Sequence, residues 1–254
     1  MKLFYRVQGK GQSIIIIHGI FGSSDNWLSI TKKLSVNYQL YLIDLRNHGN
    51  SPQSDIFTYE SMSDDLLELI NDHSIKDPII IGHSMGGKVA MHFSLHHPGK
   101  LKKLVVVDIA PKSYPVHHEK ILEGLNAIPL SELKSRQEAE SILANYVDEP
   151  DVRQFLLKNL SRNEQLQFQW KINLPIITKN IEKIGVEINK KKEFTKPTLF
   201  IKGGKSNYIK NEDSALIKKI FPQAEIKTID QAGHWVQVDA PEDFLQLVEQ
   251  FASS

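Results

Sequence analysis

The stretch Pro78-Ile79-Ile80-Ile81-Gly82-His83-Ser84-Met85-Gly86-Gly87-Lys88-Val89-Ala90 carries a β-branched run into a Gly-x-Ser-x-Gly turn and on into a small-residue helix. A serine on so sharp a strand-to-helix turn holds a strained backbone, and the residues two before and two after it must be tiny. Gly82 and Gly86 meet that demand. The hydroxyl then stands clear of the sheet, and the new helix aims its free N–H groups and positive dipole end at it. Ser84 is therefore the candidate nucleophile. Gly-x-Ser-x-Gly alone recurs by chance; an apolar strand before it, a helix after it and ordered partners downstream give it weight.

The 254 residues fit one large α/β domain with room for an inserted lobe. Lys plus Arg (31) nearly cancels Asp plus Glu (30), so no global field favours nucleic acid or an anionic membrane surface, and the expected partner is a small molecule. Cysteine is absent, which excludes disulfides, thiolate catalysis and Cys-based metal sites. The nucleophile must be oxygen or nitrogen, and no cofactor or metal is expected. The N-terminus alternates like a strand over Met1–Gln8 without the apolar core of a signal peptide, and no run reaches membrane-span length. A cytoplasmic protein is expected; its oligomeric state is left open.

β-rich runs at Ile14–Ile17, Gln39–Ile43, Pro78–Ile81, Leu104–Val107, Thr198–Ile201 and Glu225–Ile229, most of them continuously apolar, alternate with helical stretches, the signature of a parallel sheet covered by helices. Leu3–Gln8 with the turn Gly9-Lys10-Gly11 predicts an antiparallel edge hairpin. Between Pro111 and Lys196 the rhythm turns helical, as over Ser131–Tyr146 and Asp151–Leu160, with Ile176-Ile177 the one short strand-like run. This predicts a core of 1–111 and 196–254 with a helical cap, 112–195, inserted after the strand ending at Asp108. The basic run Lys190-Lys191-Lys192 reads as a solvated face.

His18-Gly19-Ile20-Phe21-Gly22-Ser23 follows a central strand at its carboxyl end, where α/β folds place ligands. The backbone N–H groups of Ile20 and Met85 are the expected oxyanion hole, with Phe21 a weaker alternative to Ile20. Asp230-Gln231-Ala232-Gly233-His234-Trp235 follows the last strand. A loop histidine there is placed to take a proton from the serine and return it to the leaving group, and Ser before His is the order this fold expects.

Together with Asp44-Leu45-Arg46-Asn47-His48-Gly49-Asn50-Ser51, these elements resemble the α/β-hydrolase superfamily from end to end of the chain. More narrowly, His83-Ser84-Met85-Gly86-Gly87-Lys88 with Val107-Asp108-Ile109-Ala110-Pro111 is similar to the YbfF-like bacterial esterases. The resemblance implies an α/β-hydrolase fold with a mostly parallel central sheet of about eight strands flanked by helices. It also implies hydrolysis of carboxylic esters and fatty acyl-CoA thioesters.

The acid departs from the common pattern. Many relatives carry it in a Gly-x-x-Asp loop after the strand at Thr198–Ile201, whereas here that loop reads Gly203-Gly204-Lys205-Ser206-Asn207-Tyr208. Asp108 ends the strand expected to lie next to it and matches the acid position of those esterases; Glu212 or Asp213 is the competing source.

Other signals are weaker. Gly204-Lys205-Ser206 lacks the earlier glycine of a phosphate loop, and His92 with His96 has metal-like spacing without a third ligand. His117-His118 and Lys112 could attract a CoA phosphate but read better as exposed loop residues. Asp44, Arg46 and His48 suggest an ion pair and turn, and Phe168 and Trp170 suit a helical core. The same triad could serve carbon–carbon bond hydrolysis or a lyase, or the scaffold could be a binding module. Dehalogenases and epoxide hydrolases of this fold use Asp at the elbow, so Ser84 excludes their mechanisms.

Overall fold

A computed structural model describes every residue except 116, 189 and 190. Lys190 of the basic run thus lies outside the described residues. Seven strands form the main sheet: β1 (Tyr5–Gln8), β2 (Gln12–Ile17), β3 (Tyr38–Ile43), β4 (Ile79–His83), β5 (Lys103–Val107), β8 (Thr198–Gly203) and β9 (Ala224–Ile229). A separate hairpin pairs β6 (Leu160–Arg162) with β7 (Phe168–Trp170). The strand order is β1-β3-β2-β4-β5-β8-β9, parallel throughout except for β1.

Alternate residues of each strand feed different cores, as a period of two requires. Ile15 and Ile17 join a cluster with Met62 and Leu66 of α2 (Tyr59–Asp72), Val89 and Phe93 of α3 (Met85–His96) and Ile217 of α8 (Asp213–Ile220). Ile14 and Ile16 pack with Ile30 of α1 (Leu28–Leu34), Val236 of α9 (Val236–Asp239) and Phe244 and Val248 of α10 (Pro241–Ser253). Burial on both faces is why the central strands β2, β4 and β5 read as apolar runs.

The chain leaves β2 toward β3 on one side and then returns to place β4 on the other. The strand order therefore reverses at β2 and β4, and a crevice opens there at the carboxyl ends of the strands. Both the His18–Ser23 turn and the Ser84 turn leave the sheet at this switch point.

Between β5 and β8 lie α4 (Glu119–Asn126), α5 (Arg136–Leu143), the β6–β7 hairpin, α6 (Pro150–Leu157) before it and α7 (Leu174–Asn180) after it. The segment is helical in the main, as its periodicity predicts. Its strands fall elsewhere than expected: Phe168 and Trp170 lie on β7, and Ile176-Ile177 lies within α7. Three residues per strand are too few for alternation to stand out in the sequence.

One further expectation changes. β1 pairs with β3 (Tyr5 opposite Ile43, Gln8 opposite Leu40), so Gly9-Lys10-Gly11 does not close a hairpin. β2 lies in parallel between β3 and β4 and has no edge left for β1. Among the described residues the main sheet has seven strands, mostly parallel, in keeping with the expected sheet of about eight.

Candidate active site

Ser84 stands at φ 53° and ψ −119°, the strained turn that its glycines permit. A Cβ on Gly82 would lie 2.2 Å from the Gly86 carbonyl oxygen, and one on Gly86 would lie 2.4 Å from that of His18. The second contact shows the tightness of the crevice: the elbow rests directly on the end of β2. The Ser84 N–H extends the sheet by donating to the Val107 carbonyl (3.0 Å), so the side chain alone is left to project.

His234 Nε2 lies 3.1 Å from Ser84 Oγ, and its Nδ1 lies 2.8 Å from Asp108 Oδ2. Asp108 is fully buried at the end of β5, whereas His234 is partly exposed. Its Oδ1 accepts the Gly203 N–H (3.0 Å), and its Oδ2 also accepts the Ser206 hydroxyl. Pairing of β5 with β8 makes both contacts available, because it sets Val107 opposite Ile201 and the following loop beside Asp108. The structure thus brings Ser84, Asp108 and His234 together. Asp213 instead accepts Lys112 Nζ (2.6 Å) and the Lys210 N–H (2.8 Å), while Glu212 is exposed.

The loop that lacks the usual carboxylate carries a serine donating to Asp108. Ser206 escaped the sequence reading, which asked that loop only for an acid. His83 escaped it too. Its Nε2–H donates to the His234 carbonyl (2.9 Å), fixing the loop that holds the imidazole. Burial, with a smaller contribution from His234, holds the His83 pKa down to about 3, so the ring is neutral. Tyr208 stacks on His234 at 4.0 Å between ring centroids.

Met85 opens α3, so its N–H has no partner from the preceding turn of helix. Gly19 brings the other turn against the serine: a Cβ there would lie 3.3 Å from Ser84 Cβ. Gly22 N–H closes that turn on the Gly19 carbonyl (3.0 Å), leaving Ile20 and Phe21 at its apex. Asn159, next to β6, donates to the Phe21 carbonyl (2.7 Å) and ties the inserted segment to the turn.

One turn after Ser84, the buried Lys88 fixes both ends of that segment. Its Nζ donates to the carbonyls of Lys112 (2.8 Å), Gly185 (3.4 Å) and Val186, and sits 4.9 Å from the Tyr114 ring centroid. The Tyr114 hydroxyl in turn donates to the Tyr208 carbonyl.

Arg46 pairs with Asp65 (2.7 and 2.8 Å), not with Asp44, which accepts the N–H groups of Ser24 and Asn50. Lys112 is paired and His118 is half-buried, so neither is the free cation that a CoA phosphate would need. His92 and His96 stack at 4.1 Å, and no group of three or more His, Asp or Glu among the described residues could hold a metal. No helix among them is long and apolar enough to cross a membrane.

Residues 12–168 match the family model described as the alpha/beta hydrolase fold, and the chain belongs to that family. It is 36% identical over 247 residues to the mouse sn-1-specific diacylglycerol lipase ABHD11, covering 94% of this chain and 80% of that protein. It is 34% identical over 257 residues to the Escherichia coli esterase YbfF, covering 99% of each. Among solved structures, a marine microorganism esterase superimposes with a TM-score of 0.95 at 46% identity, over 98% of this chain and 99% of that one.

Proposed function

We propose that this chain is a serine hydrolase of the esterase/lipase type that cleaves carboxylic esters through an acyl-enzyme on Ser84. The observation that carries the reading is the hydrogen-bonded chain Ser84 Oγ, His234, Asp108 beneath a helix N-terminus. His234 takes the Ser84 proton as the oxygen attacks the acyl carbon. The N–H groups of Ile20 and Met85 receive the oxyanion, Asp108 holds the tautomer that leaves Nε2 free, and His234 returns the proton to the leaving alcohol. Water then cleaves the acyl-enzyme by the same steps in reverse order.

In this reading residues 112–195 form a cap over a core of 1–111 and 196–254, and the Phe155–Trp235 ring pair, 5.2 Å apart, supplies an apolar wall beside His234. Fatty acyl-CoA thioesters suit the same acyl transfer, but a basic dock for the CoA phosphates is not what supports them, since Lys112 is held by Asp213. A chain without cysteine suits the reducing cytoplasm, where we place it.

The test compares hydrolysis of a short p-nitrophenyl ester and of palmitoyl-CoA by wild type and Ser84→Ala. Loss of kcat by order 10⁶ in the variant is expected. Ser84-independent turnover would overturn the acyl-enzyme, and inertness toward both substrates would favour carbon–carbon bond cleavage.

A further inference from the structure

Tyr208 lies in the loop after β8 and has no part in the chemistry above. Its ring stacks on the His234 imidazole, with centroids 4.0 Å apart and planes 20° from parallel. A stacked pair sets one face of the imidazole against the electron-rich face of the phenol. The His83 ring lies farther off, at 4.7 Å and tilted by 45°.

Three contacts hold the phenol in place. The Tyr208 N–H donates to Oγ of Ser206 (3.3 Å), the serine that itself donates to Asp108. The Tyr208 carbonyl accepts the Tyr114 hydroxyl, which in turn accepts the Ala110 N–H (2.8 Å) two residues beyond Asp108. The Tyr114 ring also packs against that of Tyr208, with centroids 5.4 Å apart. The loop that orients the acid thus fixes an aromatic face on the base.

Asp108 is the anion that meets His234 at Nδ1. His83 and His118 would oppose a positive charge there, but burial keeps both rings neutral. Burial, then Asp108, push the Tyr208 phenol up, so it too is uncharged. What Tyr208 offers an imidazolium is therefore its ring face. A cation within about 6 Å of an aromatic centroid and over its face is attracted by the ring quadrupole. As general base His234 starts neutral and gains its charge only when it takes the Ser84 proton, so this attraction is added during the reaction.

We propose that Tyr208 is a positioning residue for ester hydrolysis, its ring face holding His234 and stabilising the imidazolium that forms in acylation and again in deacylation. The inference rests on the serine-esterase reading and extends the catalytic assembly into the loop that lacks the usual acid. Stabilisation confined to the charged form lowers the barrier without strengthening substrate binding, so kcat should respond and KM should not.

The test measures kcat and KM for ethyl butyrate, whose poor leaving group makes chemistry the slow step, with rates normalised by fluorophosphonate titration of reactive serine. Tyr208→Leu removes the ring and should lower kcat about tenfold, with KM within about twofold of wild type. Tyr208→Phe keeps the face and should retain most of the rate. Mono-, di- and trifluorophenylalanine in place of Tyr208 drain the face of electron density at nearly constant ring size, and kcat should fall with each added fluorine. A kcat that stays level across that series, even with Tyr208→Leu impaired, would reduce the ring to packing and overturn the proposal. A loss confined to KM would make Tyr208 a substrate contact and overturn it equally. No titratable serine and no ester turnover in wild type would instead remove the serine-esterase reading, and the proposal with it.

Discussion

Ser206 and His234 share one oxygen of Asp108: the hydroxyl and the imidazole Nδ1 both meet Oδ2. The position that elsewhere in the superfamily supplies the acid here supplies a donor that orients an acid from the neighbouring strand. Ser206→Ala removes one hydrogen bond to a buried charge, so kcat should fall about 10- to 100-fold. Asp108→Asn, which disturbs the tautomer itself, should cost order 10⁴. Steady-state kinetics on both variants checks the ranking; a Ser206→Ala enzyme within about twofold of wild type would mean that the Gly203 N–H suffices.

The elbow tolerates no side chain at Gly86. A methyl group there would sit 2.4 Å from the His18 carbonyl oxygen and 2.6 Å from that of Ile17, backbone atoms where β2 ends and the next turn begins. Gly86→Ala should destabilise the fold by about 3 kcal/mol and abolish esterase activity, because the turn that aims Ser84 must move. Urea unfolding measures the first effect; an unchanged midpoint would show that β2 can yield.

Arg46 and Asp65 are buried together, at 6% and 1% exposure, and Asp65 also accepts the terminal ammonium of Met1 (2.6 Å). Arg46→Met leaves a buried carboxylate short of its bidentate partner and should cost about 3–5 kcal/mol. Arg46→Met combined with Asp65→Leu should cost less than the single change, since no charge is then stranded. A double mutant worse than the single would show a stabilising role for the pair itself.

Lys88 makes stability depend on pH. Burial pulls its pKa from the usual 10.5 down to about 7, with Glu187 opposing. Between these values the unfolded chain holds a proton that the folded chain has released, so this group's contribution to stability rises with pH across that window. Below it the charged amine is buried at full cost. Wild type should therefore gain stability relative to Lys88→Met between about pH 6.5 and about pH 9. Chemical denaturation at both pH values checks it, and a constant difference would mean that Lys88 keeps its proton.

Much of the site was legible because its signals are local. The Gly82–Gly86 spacing, the apolar run before it and the small residues after it specify a turn with no help from elsewhere. The central parallel strands are legible for a similar reason: burial on both faces writes a continuous apolar run, whereas the edge strand β9 keeps Glu225, Lys227 and Thr228 exposed. The alternation of the edge strand β1 marks a strand without saying which neighbour has a free edge, and β1 pairs with β3 rather than β2.

By itself the sequence determined the elbow at Ser84, the sheet of buried strands, the helical character of the inserted segment and the place of His234 after the last strand. Only the tertiary structure decided which acid faces that histidine. Asp108 and His234 are 126 residues apart, and Asp108 and Ser206 98 apart. Such contacts exist because β5 lies beside β8, and Arg46 pairs with Asp65, a buried residue of α2. Backbone periodicity is written over a few neighbouring residues, whereas the partner of a buried charge is set by strand order and layer packing, which bring distant residues together only once the chain has folded.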